Sequence, residues 1–198
     1  MPSDSRFPSL VSIACHDLRA PLAVVYGFTR TLARADLEPP ADRYVAMIAT
    51  ASEQLDELLD LLSIATRIEG GRYAPDLHEI DSLALAREAA AALEEDRVQV
   101  TGEGAPVRID VKPTRRALTH LARAAARHGG LDSVDLVVRG PELELSPLTR
   151  ASTPVLLGED LREFGPPAAG VLIRALGGSL EARGDRLHIL LPAASPRE

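Results

Sequence analysis

Aromatic side chains are nearly missing from this chain: it has no tryptophan, and only three tyrosines and three phenylalanines in 198 residues. A core without them has to be assembled from Leu, Val, Ile and Ala, which favours packed helices. A single cysteine, Cys15, excludes an internal disulfide and suits a reducing compartment. Basic residues are short as well, 22 against 29 acidic ones, and a net charge of −7 speaks against nucleic acid as a partner. No apolar run approaches the roughly 20 residues that span a bilayer. The opening "MPSDSRFPSL" lacks the basic start and apolar run of a secretory leader. A cytoplasmic protein with no membrane association is therefore expected. The 45% hydrophobic and 26% charged content is that of an ordinary folded protein.

The first third is patterned for helices. From Ser9 to Arg34, the apolar positions Val11, Ala14, Leu18, Leu22, Val25 and Leu32 share one side of a helix turning about 100° per residue. "ADLEPP" ends it, and Pro39-Pro40 suits the start of another. From Ala41 to Glu69, the positions Tyr44, Ile48, Ala51, Leu55, Leu58, Leu62 and Ala65 alternate steps of four and three, a heptad seam. Gly70-Gly71 is the stop signal. Two amphipathic helices on a short loop form an antiparallel hairpin whose apolar surface is only partly covered. A homodimer built as a four-helix bundle is the expected remedy.

Beyond "GGRYAP" the pattern changes. "DSLALAREAAAALEE" reads as a helix with Asp81 as its cap. "RVQV" and "VRIDV" read as short strands around the "TGEGAP" turn, and "TRRALTHLARAAARHGG" as a helix stopped by Gly129-Gly130. "SVDLVVRGPELELS" and "SLEARGDRLHILLP" read as hairpins, with the helix "PPAAGVLIRALGG" between them. The expected fold class is α+β: a helical hairpin over residues 1–71, then a small α/β sandwich over residues 72–198 with helices on one face.

Chemistry gathers in "ACHDLRAPLAVV", residues 14–25. His16 lies about 160° from Leu18 around the helix, opposite the apolar stripe, and should be exposed. Down that face come Ala20, Ala23 and Gly27, then Arg30 and Arg34. A solvated face normally carries Lys, Glu and Gln, whereas small residues leave room for another protein's surface. Gly27 costs the helix roughly 1 kcal/mol against Ala, so its presence asks for a reason. Pro21 removes a backbone donor and should kink the helix one turn below His16. Asp17 stands beside the imidazole and can orient it or take its proton. His78, His120, His128 and His188 show no metal-ligand spacing, so no metal site is expected. His120 and His128 fit the surface or half-buried side of their helix, and Cys15 fits the core.

"HDLRAPL" closely resembles the H-box of sensor histidine kinases, His-Glu/Asp-Leu-Arg-Thr/Asn-Pro-Leu, and residues 9–69 resemble that family's dimerisation and histidine-phosphotransfer hairpin. The resemblance implies that His16 is the phospho-acceptor and that Asp17 assists proton transfer. It also implies that the surrounding face, with Arg19, Ala20, Ala23, Gly27 and Arg30, docks a receiver domain carrying a phospho-acceptor aspartate. Ala20 replaces the Thr or Asn that helps position water for receiver dephosphorylation, which speaks against phosphatase activity.

Residues 76–193 follow the order of strands and helices in the same family's ATP-binding domain, but its motifs are missing. Ala124 stands where an Asn coordinates the magnesium ion on ATP, and a methyl group cannot ligate a cation that demands oxygen. "SPLTRAS" replaces the Asp-x-Gly-x-Gly that recognises adenine, and "EFGPPAAG" replaces the glycine-rich lid, its prolines lacking the backbone donors that cradle phosphates. No cofactor is expected, and magnesium only from a partner receiver. The function expected is a histidine phosphotransfer protein shuttling phosphate between receiver aspartates through His16. A divergent sensor kinase core and a non-catalytic adaptor for a receiver or kinase are the alternatives. ATP binding separates the first alternative, and failure to carry phosphate the second.

Overall fold

The computed structural model describes residues 7–35, 37–93 and 97–194. The chain divides into two compact units, Met1–Arg72 and Tyr73–Glu198. The first consists of helices α1 (Phe7–Leu32) and α2 (Ala41–Glu69); Asp36, in the loop expected between them, lies outside the described residues. Pro21 is inside α1, which runs through it unbroken. Because residue 21 has no N–H, the Asp17 carbonyl lacks its ordinary helical donor. At the far end Gly71 takes a φ of 63°. The N–H groups of Gly70, Gly71 and Arg72 turn back onto the carbonyls of Thr66, Ile68 and Arg67 and close α2.

The covered line of α1 differs from the stripe expected from sequence. It comprises Cys15, Arg19, Leu22, Tyr26 and Thr29, buried or half-buried and stepping by four and three. Of the expected stripe, Leu18, Val25 and Leu32 remain 55%, 46% and 47% exposed. On α2 the covered line is Val45, Ala49, Ser52, Asp56 and Leu59, one residue on from the expected seam, whose Tyr44, Ile48 and Leu55 stay exposed. The covered lines mix small and polar residues with Leu22, Val45 and Leu59. Thr29 and Ser52 donate to the carbonyls of Val25 (2.6 Å) and Ile48 (2.8 Å) of their own helices, so they can be buried without an unpaired hydroxyl. Leu18, Val25, Phe28 and Leu32 of α1 and Tyr44, Ile48 and Leu55 of α2 are left on the outside, while Leu61 and Ile64 toward the end of α2 are buried.

The second unit comprises β1 (Leu77–Asp81), α3 (Ser82–Ala90), β2 (Val98–Gly104), β3 (Pro106–Asp110), α4 (Val111–Gly129), β4 (Val134–Gly140), β5 (Glu142–Ser146), α5 (Thr153–Leu156), α6 (Gly165–Ala175), β6 (Ser179–Arg183) and β7 (Arg186–Leu190). Asp81 caps α3, its Oδ1 accepting from the N–H groups of Leu83 and Ala84, both at 2.9 Å. Glu94 and Glu95, at the end of the helix expected there, lie outside the described residues. The two expected hairpins, β4–β5 and β6–β7, turn on Gly140 and Gly184, both at φ 61°. A five-stranded sheet runs β2-β4-β5-β7-β6, with β2 parallel to β4 and the other pairs antiparallel.

The strands around "TGEGAP" do not pair with each other. β2 joins β4, while β3 pairs with β1, a strand that sequence reading missed. The split follows from the backbone: Gly102 sits at φ 107° with its α-carbon against the Val138 backbone, where a Cβ would stand 2.0 Å from a carbonyl oxygen. Along β4, Val134, Leu136 and Val138 are buried while Asp135 and Arg139 are exposed. The buried face joins Leu143, Leu145, Leu187 and Ile189 to Leu85, Leu121, Leu172 and Ile173 of the helices, an aliphatic core of the kind the composition requires.

Candidate functional site

His16 projects from α1 with its side chain 87% exposed, and its Nδ1 lies 3.3 Å from Asp17 Oδ1. With a proton on Nδ1 donated to the carboxylate, the lone pair of Nε2 faces solvent. That is the arrangement a nucleophilic imidazole needs. Ala20, Ala23 and Gly27 are exposed on the turns below. At Gly27 the direction a Cβ would take has nothing within 4 Å. The hairpin itself therefore has no need of a glycine there.

The two arginines assigned to the docking face are otherwise engaged. Arg19 lies in the covered line one turn from His16 and pairs through Nη2 with Asp60 of α2, so it also braces the hairpin. Arg30 is exposed, lies over the Tyr26 ring at 5.6 Å, and donates to the Tyr26 hydroxyl at 3.2 Å. That hydroxyl donates to Glu53 of α2 at 3.0 Å. Sequence reading missed Tyr26, Glu53 and Asp60, although the four-three stepping of Cys15, Arg19, Leu22, Tyr26 and Thr29 was there to be found. Cys15, one residue before His16, is 1% exposed, and burial pushes its thiol above the ordinary range despite the nearby Arg19.

In the second unit, Ala124 is fully buried on α4 and offers no oxygen to a cation. Around it α4 meets the start of α6. His128 Nε2 lies 2.9 Å from Glu163, and Gly165 packs so closely on His120 that a Cβ would stand 2.7 Å from its Nδ1. His120 is 3% exposed, more deeply buried than its sequence position implied; burial lowers its pKa to about 4, with Arg123 adding to that effect. Within "SPLTRAS", Leu148 is buried and its N–H donates to the Asp185 carbonyl at 2.7 Å. The Thr149 N–H donates to Ser152 Oγ at 3.0 Å. The backbone of this stretch is thus tied to the β6–β7 turn through Asp185 and to the Ser152 hydroxyl.

Glu142, Glu144 and His188 hold ligand-type atoms within 4.8 Å of one another on the outer face of the sheet. Their charges are already met. Glu144 binds Arg186 (2.6 Å) and Arg139 (3.1 Å), and His188 Nδ1 binds Glu142 (2.8 Å). The hydrogen bond from Arg186 keeps the Glu144 carboxyl below the usual range. A cation there would have to displace two guanidinium groups.

Residues 9–71 match the His Kinase A (phospho-acceptor) domain. No curated protein matches the chain. Among solved structures, full-length ShkA in complex with AMPPNP aligns over 96% of this chain with a TM-score of 0.62 and 18% identity. The present chain spans about half of ShkA, 47% of its length. The Acinetobacter baumannii histidine kinase AdeS aligns over 91% of this chain and 98% of its own, with a TM-score of 0.57 and 17% identity. Residues 9–71 thus form a hairpin of the His Kinase A type, and the chain as a whole shares its fold with ShkA and AdeS. Hairpins of this kind dimerise in two-component signalling. Among the described residues no helix is long and apolar enough to cross a membrane.

Proposed function

We propose that this protein is a cytoplasmic phosphorelay carrier that takes a phosphoryl group from one receiver domain onto His16 and passes it to another, without using ATP. The observation that carries this reading is the exposed imidazole, with Asp17 on Nδ1, at the head of an open face of small residues. The Nε2 lone pair attacks the phosphorus of an aspartyl phosphate. The P–O bond breaks, the aspartate leaves as a carboxylate, and the Nδ1 proton stays shared with Asp17, which offsets the positive charge of the phosphorylated ring. Attack by a second receiver's aspartate reverses these steps. The donor is already activated, so positioning is what the hairpin has to contribute.

A homodimer is part of the proposal: the exposed faces of Leu18, Val25, Phe28 and Leu32 on α1, and of Tyr44, Ile48 and Leu55 on α2, suit a second copy in a four-helix bundle. Support for independence from ATP lies in buried Ala124, the His128–Glu163 pair and the close seat of Gly165 on His120. The second reading, an ATP-dependent kinase core, is favoured by the overall fold shared with ShkA and AdeS.

Incubation with magnesium and γ-labelled ATP, followed by receiver domains phosphorylated with acetyl phosphate, separates the readings. We expect no label from ATP, acid-labile label from a phosphorylated receiver, and none in His16→Ala, which remains dimeric. Label from ATP on His16 would establish the kinase. Phosphate carried by the His16→Ala variant would remove His16 from its assigned role, and no transfer from any receiver would leave an adaptor.

A further inference from the structure

The covered line of α1 is less apolar than the face it leaves outside. Its five members include Arg19 and Tyr26, whereas Ile13, Leu18, Val24, Val25, Phe28 and Leu32 are all exposed. At about 100° per residue, those six occupy one arc roughly 140° wide, centred about a third of a turn from the covered line. Burial of apolar area alone would turn that arc toward α2. In that rotated packing His16 would swing into the bearing the arc now holds, toward the face assigned above to the second copy. The observed packing keeps His16 outward.

Two polar links distinguish the observed packing. Arg19 pairs with Asp60, and the Tyr26 hydroxyl donates to Glu53 at 3.0 Å. The links are one heptad apart on both helices, Arg19 to Tyr26 along α1 and Glu53 to Asp60 along α2, as an antiparallel register requires. The upper link lies where the helix has lost the 21-to-17 backbone bond to Pro21, within one turn of His16. Half-exposed ion pairs contribute little to stability, but where the seam itself is short of apolar surface, polar pairs across it select register and orientation.

We propose that the Arg19–Asp60 and Tyr26–Glu53 links form a rotation and register lock, and that Arg19 and Asp60 are positioning residues that hold His16 toward the receiver. The inference rests on the carrier reading for its purpose, although the lock can be tested without a receiver. The full chain is treated with phosphoramidate, which transfers its phosphoryl group to an accessible imidazole nitrogen as the P–N bond breaks and ammonia leaves. Three proteins are compared: wild type, Arg19→Leu with Asp60→Leu, and the exchange Arg19→Asp with Asp60→Arg. Melting temperature and maleimide modification of Cys15 are followed in parallel.

The leucine pair should melt no lower than wild type, yet label His16 about tenfold or more slowly, as expected for a misdirected reacting group. The exchange should recover most of the rate. A role in stability alone would make labelling follow the melting temperature. Wild-type labelling in the leucine pair, with Cys15 as protected as before, overturns the lock, and so does equal loss in both variants. If wild-type His16 resists phosphoramidate, Cys15 decides: faster modification in the leucine pair supports the lock, and unchanged protection overturns it. Wild-type protein labelled by phosphoramidate but by no phosphorylated receiver would sink the carrier reading and leave the lock standing.

Discussion

Three histidines of this chain have three different jobs, set by burial and by the nearest carboxylate. His16 is exposed beside Asp17, His128 is paired with Glu163, and His120 is enclosed by α4 and Gly165. The His120 ring titrates near 4 when folded, against an ordinary value of 6.5, because burial disfavours its charged form. The sign follows from linkage: between those values the unfolded chain binds a proton that the folded chain refuses. Stability is therefore complete above pH 6.5 and declines as the pH falls toward 4, by at most about 3 kcal/mol. Thermal unfolding of the full chain at pH 7.5 and pH 5 should reveal this acid loss. His120→Gln should flatten it, whereas His16→Ala should leave it intact. A slope unchanged in His120→Gln would assign the acid sensitivity to other groups.

At the scale of the element, α1 presents three faces with different compositions. Its covered line carries the small and polar residues, the next arc carries the large aliphatic ones, and the third carries His16 above Ala20, Ala23 and Gly27. Gly27 tests the third face. Nothing stands within 4 Å of its absent Cβ, so Gly27→Ala should stabilise the hairpin by about 1 kcal/mol through helix propensity alone. Gly27→Trp should fold equally well and still accept phosphate at His16 from phosphoramidate, but should lose transfer from a phosphorylated receiver because its bulk covers the approach. Equal transfer in wild type and Gly27→Trp would move the docking surface elsewhere on the hairpin.

For the whole molecule, the decisive quantity is the apolar surface left in water by a single hairpin. Phe28 is 69% exposed and Leu55 is 52% exposed, large side chains that a second copy would cover. Phe28→Asp combined with Leu55→Asp should give monomers by light scattering at concentrations where the wild type is dimeric. The second unit should melt as before, since its aliphatic core contains neither residue. A dimer that survives both carboxylates would place the symmetric contact outside these faces.

Much of this was written in the residue order. Proline pairs, glycine pairs and the Asp81 cap are local signals, and they marked the helix ends because each acts on a backbone within a few residues of itself. The HDLRAPL stretch was legible for the same reason: it places a nucleophile, a proton acceptor and a helix breaker on adjacent turns. The sheet order was not. β2 and β3 are neighbours in sequence but separate in space, because strand pairing depends on which distant edge is free and on the close approach Gly102 permits to β4. Nor did periodicity reveal which face of α1 would be covered. The more apolar arc stays outside, and the covered line instead carries Arg19 and Tyr26, whose partners Asp60 and Glu53 lie 41 and 27 residues away. The sequence by itself determined the helices, the two hairpins and the identity of the exposed histidine. Tertiary structure decided the direction that histidine faces, because an orientation is settled only where two helices meet.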